Sequence, residues 1–247
     1  MKVVIKKDAE QAGKYAAEII SGIIRKKPAA VIGLATGSTP LVAYGELARM
    51  HREDGLDFSR VTTFNLDEYV GVKPDNPASY RYFMEESLFK RVNLKAENTN
   101  VPDGMAPDIS ASCAGYEKKI AGLGGIDIQL LGIGGNGHIA FNEPGSDFES
   151  RTRLQKLDGK TIKDNSRFFG NDPELVPKSA VTMGIGTIME AKKIILVATG
   201  SGKADAVRKS LEGPVTKDVP GSALRRHPDV TFVLDEEAAA KIKKIKE

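Results

Sequence analysis

Short apolar runs alternate along this chain with segments whose apolar residues recur at helical spacing. Residues 3–5 read as a short edge strand. Asp8 then suits the N-cap of a helix through Ala9, Ala12, Ala16, Ile19, Ile20 and Ile23, which Lys26-Lys27-Pro28 ends. Strands are predicted over 30–35, 61–66, 126–131, 193–198 and 230–234. Helices are predicted over 41–51, from Asn76-Pro77 through 89, from Pro107-Asp108 through 123, over 186–191, from Lys203 onward, and over 235–246. Residues 180–183 read as a strand or a turn entry. This order suits one large α/β domain over 1–247, or at most two small ones. No linker, internal repeat or low-complexity segment interrupts it.

One stretch breaks the pattern. Residues 147–178 are polar, with Gly, Asn, Asp and Pro scattered among them, and carry Arg151, Arg153, Arg167, Phe168 and Phe169. A loop this long is usually functional or disordered. Charge together with paired aromatics favours a lid that closes on a ligand.

The chain is organised around the strand at 126–131 and the glycine loop that leaves it. Gly132, Gly134, Gly135 and Gly137 place four glycines in six residues, so backbone N–H groups can approach a ligand closely. Asn136, His138 and Glu143 stand in or just after this loop. The formal match to G-x-G-x-x-G is rejected, because Asn142, Pro144 and Gly145 stop the helix that a dinucleotide site requires. Taken singly, His138 reads as well as a core histidine, and Glu143 as a solvated turn carboxylate. Together, beside four glycines, they point to an active-site edge. Metal ligation is disfavoured: the chain has three histidines and one cysteine, with no H-x-x-x-H or C-x-x-C spacing.

Two further loops come after strands. Thr36-Gly37-Ser38-Thr39-Pro40 leads into a helix, where free N–H groups, the helix dipole and hydroxyls converge on one spot. From that segment alone, an ordinary capped turn competes with phosphate binding. Thr199-Gly200-Ser201-Gly202-Lys203 repeats the device, and a cation at a helix N-terminus suggests a bound anion. Asp67-Glu68-Tyr69 ends another strand, where α/β sheets hold catalytic groups. Two adjacent carboxylates are more often a helix N-terminus or a solvated turn.

Composition narrows the class. Of 247 residues, 40% are hydrophobic and 28% charged, as in a soluble globular protein. The net charge of +3 suits an anionic substrate without demonstrating one. Basic residues are dispersed, which argues against nucleic acid. No apolar run is long enough for a bilayer, and the N-terminus lacks a signal-peptide core. The single Cys113 excludes an internal disulfide and favours a reducing compartment, so a cytoplasmic protein is expected.

Several stretches together resemble the glucosamine-6-phosphate deaminase family, in its short bacterial-type branch. They are Ala35-Thr36-Gly37-Ser38-Thr39-Pro40, Phe64-Asn65-Leu66-Asp67-Glu68-Tyr69-Val70-Gly71, Gly137-His138-Ile139-Ala140-Phe141-Asn142-Glu143-Pro144 and Ser166-Arg167-Phe168-Phe169. The likeness runs in order over nearly the whole chain. It implies a Rossmann-like parallel sheet flanked by helices, and conversion of glucosamine 6-phosphate and water to fructose 6-phosphate and ammonia. It also implies no metal and no organic cofactor. Carried over, the proton-abstracting carboxylate falls on Asp67 and the ring-opening histidine on His138, supported by Glu143. The phosphate contacts fall on Thr36, Gly37, Ser38, Thr39, Arg167 and Lys203. Asn136 stands where the longer, allosteric branch has Asp. Asn carries no charge, so the expected role is orientation. That branch also binds an effector through an arginine and a lysine; this chain has Arg153 but Gln155 at the lysine position. A monomer or small homo-oligomer is expected. The competing readings are 6-phosphogluconolactonase, a hydrolase on a similar fold, and a sugar-phosphate sensor domain.

Overall fold

The computed structural model describes residues 1–166 and 169–243, and of Lys160 and Asp164 the backbone only. In chain order the strands are β1 (Lys2–Lys6), β2 (Val31–Leu34), β3 (Thr62–Asn65), β4 (Asp67–Tyr69), β5 (Thr99–Asn100), β6 (Ile128–Leu131), β7 (Arg153–Lys156), β8 (Ser179–Thr182), β9 (Ile194–Ala198) and β10 (Val230–Asp235). The helices are α1 (Ala9–Lys26), α2 (Leu41–Asp54), α3 (Tyr80–Ser87), α4 (Ile109–Gly122), α5 (Gly159–Asn165), α6 (Ile185–Met189), α7 (Ala204–Glu212) and α8 (Glu236–Ala239).

Seven strands pair in the order β1-β10-β9-β6-β2-β3-β5, every neighbour parallel. Strands β2, β6, β9 and β10 are buried at every residue. Parallel strands covered on both faces need such continuous apolar runs. One face carries α1, α2 and α3, through Ala12, Ala16, Ile20, Tyr44, Leu47 and Met84. The other carries α4, α6, α7 and α8, through Ile120, Ile185, Val207, Leu211 and Ala238. Asp8 caps α1 as expected, accepting from the Gln11 amide at 2.8 Å.

Chain order reverses between β2 and β6. Loops leaving the two strands at such a switch point diverge and leave a crevice at their C-terminal ends. The 36–39 and 132–138 loops stand on either side of it.

The structure corrects the sequence in three places. The 147–178 stretch is not devoid of regular structure: it holds β7 and α5. Strand β7 joins β8 and β4 in a second, antiparallel sheet of three strands. It is an edge strand whose residues alternate between half-buried and exposed, with Leu154 53% exposed, so no apolar run marked it. Helix α3 begins at Tyr80 rather than at Asn76-Pro77, because Asn76 Oδ1 accepts from the Ala78 amide and forms a turn first. Helix α8 stops at Ala239 instead of running to 246. Lys241 is drawn to Asp205 at 2.6 Å, and the Lys243 amide to Glu212 at 2.7 Å.

Candidate active site

A cleft of about 420 Å³ opens at the switch point. The 36–39 loop, Asp67, residues 132–135, His138 and Lys203 line it, with Ser79, Tyr80, Thr161 and Asn165. Thr36, Gly37, Ser38, Thr39, Asp67, His138 and Lys203 therefore meet in one place. Asn136 and Glu143 are not among the lining residues; they stand behind His138. Arg167 lies outside the described residues.

The glycine loop shapes the histidine. The Gly134 amide donates to the His138 carbonyl at 2.9 Å, and the Gly137 amide to the Gly134 carbonyl at 2.9 Å. Gly137 has φ +91°, a conformation that favours glycine. The turn brings the His138 ring against the backbone of Gly134. Asn136 binds both ends of the motif: its Oδ1 accepts from the His138 amide at 3.1 Å, and its Nδ2 donates to Glu143 Oε2 at 2.8 Å. His138 Nδ1 lies 3.3 Å from the same Oε2, at ion-pair distance but outside hydrogen-bond geometry. Thr161 of α5 donates its hydroxyl to Glu143 Oε1. Burial pushes Glu143 up, but His138, Thr161 and Asn136 outweigh it and hold the carboxyl at about 2. Glu143 is thus a carboxylate throughout the neutral range.

Asp67 follows β3 directly and opens β4. It is 6% exposed. Burial, then the charge of Glu68, pushes its carboxyl up to about 8, against a hydrogen bond from Thr36. Two carboxyl groups of opposite character thus stand at the site, Glu143 behind His138 and Asp67 on the cleft wall. One is anionic and braces a histidine. The other exchanges a proton near neutrality.

The two loops expected to bind an anion differ. Buried Tyr44 donates to the Ala35 carbonyl at 2.5 Å and pins the root of the 36–39 loop. At the second loop, the Gly200 amide is bound by Asp235 at 2.9 Å and the Ser201 amide by Glu237 at 3.1 Å. Those N–H groups are occupied by carboxylates. Helix α7 starts one residue later than expected, at Ala204, after a single 3-10 turn, Ser201–Lys203. This loop therefore offers the Lys203 side chain more than a backbone cradle.

Helix α5 presents a further pair that the sequence reading missed. Thr161 and Asn165, one turn apart, reach Glu143 and the Tyr69 hydroxyl; the latter contact is 2.9 Å. Tyr69 also packs against Tyr80, Phe141 and Phe169, with ring centroids 4.8–5.8 Å apart. The i,i+4 spacing of Thr161 and Asn165 was a signal, hidden in a stretch too polar to read as a helix.

The family model for glucosamine-6-phosphate isomerases/6-phosphogluconolactonase matches residues 6–233. The chain belongs to this family. Within it, glucosamine-6-phosphate deaminase 2 of Bacillus subtilis (strain 168) is 52% identical over 244 residues, 98% of each chain. The glucosamine-6-phosphate deaminase of Clostridium acetobutylicum is 52% identical over 239 residues, 97% of this chain and 99% of that one. A solved structure of a monomeric glucosamine-6-phosphate deaminase is 46% identical, with a TM-score of 0.95 over 98% of this chain and 100% of its own. A 6-phosphogluconolactonase from Trypanosoma brucei is more distant, at 25% identity and a TM-score of 0.76 over 98% of each chain. Sequence and fold both set the chain nearer to these deaminases of the family than to that lactonase.

Proposed function

We propose that the chain is an isomerising deaminase of amino-sugar catabolism: it converts glucosamine 6-phosphate and water to fructose 6-phosphate and ammonia. The observation that carries this reading is the meeting of Asp67 and His138 in one cleft, from the ends of two different strands. A lactone hydrolase needs no base aimed at a carbon-bound proton. An aldose–ketose isomerisation does.

The chemistry assigns the roles. The closed sugar opens when a proton moves from the anomeric hydroxyl to the ring oxygen. His138 moves that proton, and Glu143 and Asn136 hold its ring and tautomer. Asp67 then takes the proton from the carbon bearing nitrogen and returns it to the neighbouring carbon. The resulting imine is hydrolysed by water to the ketone, and ammonia leaves. A carboxyl near 8 suits a group that must both take and return a proton. The phosphate is held by the 36–39 loop, Lys203 and Arg167. Residues 147–178, with α5, act as a lid that excludes water during the transfer. No described helix is long and apolar enough to cross a membrane. We read the enzyme as a cytoplasmic monomer or small homo-oligomer.

The test is one assay. Purified protein should release ammonia and fructose 6-phosphate from glucosamine 6-phosphate, and should not open 6-phosphogluconolactone. Lactone hydrolysis without ammonia release would reverse the reading.

A further inference from the structure

Glu68 is buried, acidic and adjacent to Asp67, yet it does not line the cleft. Side chains alternate along a strand, so Asp67 faces the cleft while Glu68 turns behind it. Its Oε1 accepts from the Tyr69 amide at 2.8 Å and the Tyr80 amide at 3.0 Å, and its Oε2 from the Arg81 amide at 2.9 Å. Two of these donors belong to the first turn of α3, whose leading residues Ser79 and Tyr80 form one wall of the cleft.

Three N–H donors converging on one carboxyl select its ionised form, which offers acceptors only. Burial outweighs these amides and the Ser79 hydroxyl and leaves the Glu68 carboxyl above its ordinary range, while the amide donors oppose its protonation. Among the described residues no cation pairs with it. Arg81, whose amide binds Glu68, sends its guanidinium instead to Glu85 at 2.7 Å and to the Thr99 carbonyl at 3.2 Å. An arginine partner would cancel the charge of Glu68; peptide dipoles orient the carboxylate and leave a net negative charge beside Asp67.

We infer that Glu68 is a positioning residue for the carbon-deprotonation step, locking the Ser79–Tyr80 wall to the strand of Asp67 and keeping a fixed negative charge behind that base. The inference rests on the activity proposed above. Both effects act without contact with substrate. The elevation of the Asp67 carboxyl, to which Glu68 contributes after burial, agrees with it. The other titratable groups around Asp67 are Tyr69 on its own strand, Tyr44 of α2, Tyr80 of α3, Tyr116 of α4, and His138 and Lys203 on the cleft lining.

The test compares E68Q with Ser79→Ala in kcat/KM against pH. The glutamine keeps the volume but removes the charge and sets an NH2 group against an amide donor. E68Q should lose roughly tenfold in rate, and its acid limb should move down by about half a pH unit or more, since a like charge near Asp67 is gone. Ser79→Ala removes the α3 cap but not the charge, so it should slow the enzyme with the limb in place. An E68Q profile that is only lower, like that of Ser79→Ala, would make Glu68 a helix cap and nothing more. Carboxyl-carbon NMR of the wild-type protein is a second reading that needs no variant. Glu68 should stay ionised across the range in which Asp67 titrates, and a neutral Glu68 there overturns the inference. A wild-type protein that releases no ammonia would instead defeat the proposed activity, leaving the NMR result to stand alone.

Discussion

A Cβ on Gly134 would lie 2.2 Å from Cε1 of His138, inside the space of the imidazole ring itself. The two cannot coexist unless the ring moves. Gly134→Ala should therefore displace His138 without adding any group that touches substrate. We expect kcat to fall about 10²-fold, the lower end of what losing an acid–base group costs, with a stability loss of about 1–3 kcal/mol from overpacking. Steady-state kinetics beside a thermal melt would check this. Wild-type kcat would show that the ring need not stay where it is.

Asp67→Asn keeps the shape of the side chain but cannot accept a proton. Turnover should drop by about 10²–10⁴, and the carbon-bound hydrogen of the substrate should no longer exchange with deuterated water. Its effect on stability has a defined sign. The folded protein holds the Asp67 proton up to about pH 8, far above the ordinary carboxyl value of 3.8. Ionisation thus costs the folded state more than the unfolded one, and native stability declines as pH rises from about 4 to about 8. Asn escapes that decline. The variant should melt higher than wild type at pH 8, and the gap should close towards pH 4. A gap that does not vary with pH would remove burial of the charge as the cause.

Glu143 has the opposite linkage. Its folded-state carboxyl sits at about 2, below the ordinary 4.5. Its contribution is complete above about pH 4.5 and is lost as pH falls towards 2. Glu143→Gln should destabilise the protein at pH 7 and much less at pH 2.5, as calorimetry at the two pH values can show. Thr161→Val removes one hydroxyl donor from this carboxylate at nearly constant volume. It should lower kcat several-fold, and Thr161→Ser should restore it. Equal kinetics for Val and Ser would mean that the hydroxyl is idle.

Lys203→Ala should raise KM strongly, with a smaller change in kcat, since a phosphate contact is made in both the ground and transition states. Asp235→Asn weakens the carboxylate that holds the Gly200 amide, and should raise KM in the same direction by less. Inhibition by inorganic phosphate should weaken in parallel. If phosphate inhibits Lys203→Ala as well as it does wild type, the anion is bound elsewhere.

Arg153 donates to Asn142 Oδ1 at 2.9 Å and to Gln155 Oε1 at 3.0 Å. A lysine at 155 could not accept that bond and would add the charge that an anionic effector needs. We expect hyperbolic kinetics with little or no activation by N-acetylglucosamine 6-phosphate. A sigmoidal curve made hyperbolic by that compound would contradict this.

The sequence alone determined the strands of the buried core and part of the cleft lining: the 36–39 loop, Asp67, His138 and Lys203, but not Ser79, Tyr80, Thr161 or Asn165. Strands such as β9 and β10 are buried on both faces, so each must be a continuous apolar run, visible without coordinates. Thr36, Asp67, His138 and Lys203 each come after a strand of the parallel sheet, and parallel strands deliver their C-terminal ends to one edge. Tertiary structure decided everything that rests on contact between polar groups distant in the chain. β7 and α5 lie at the surface, where no apolar period is required, and so read as irregular. Whether Asp67-Glu68 was a catalytic pair, a helix cap or a solvated turn could not be told from two letters. The strand's alternation sends one carboxylate into the cleft and the other to the α3 amides. The proton affinities of Asp67 and Glu143 diverge for the same reason. Both are buried, but only Glu143 meets Asn136, His138 and Thr161, and that meeting exists only once the chain is folded.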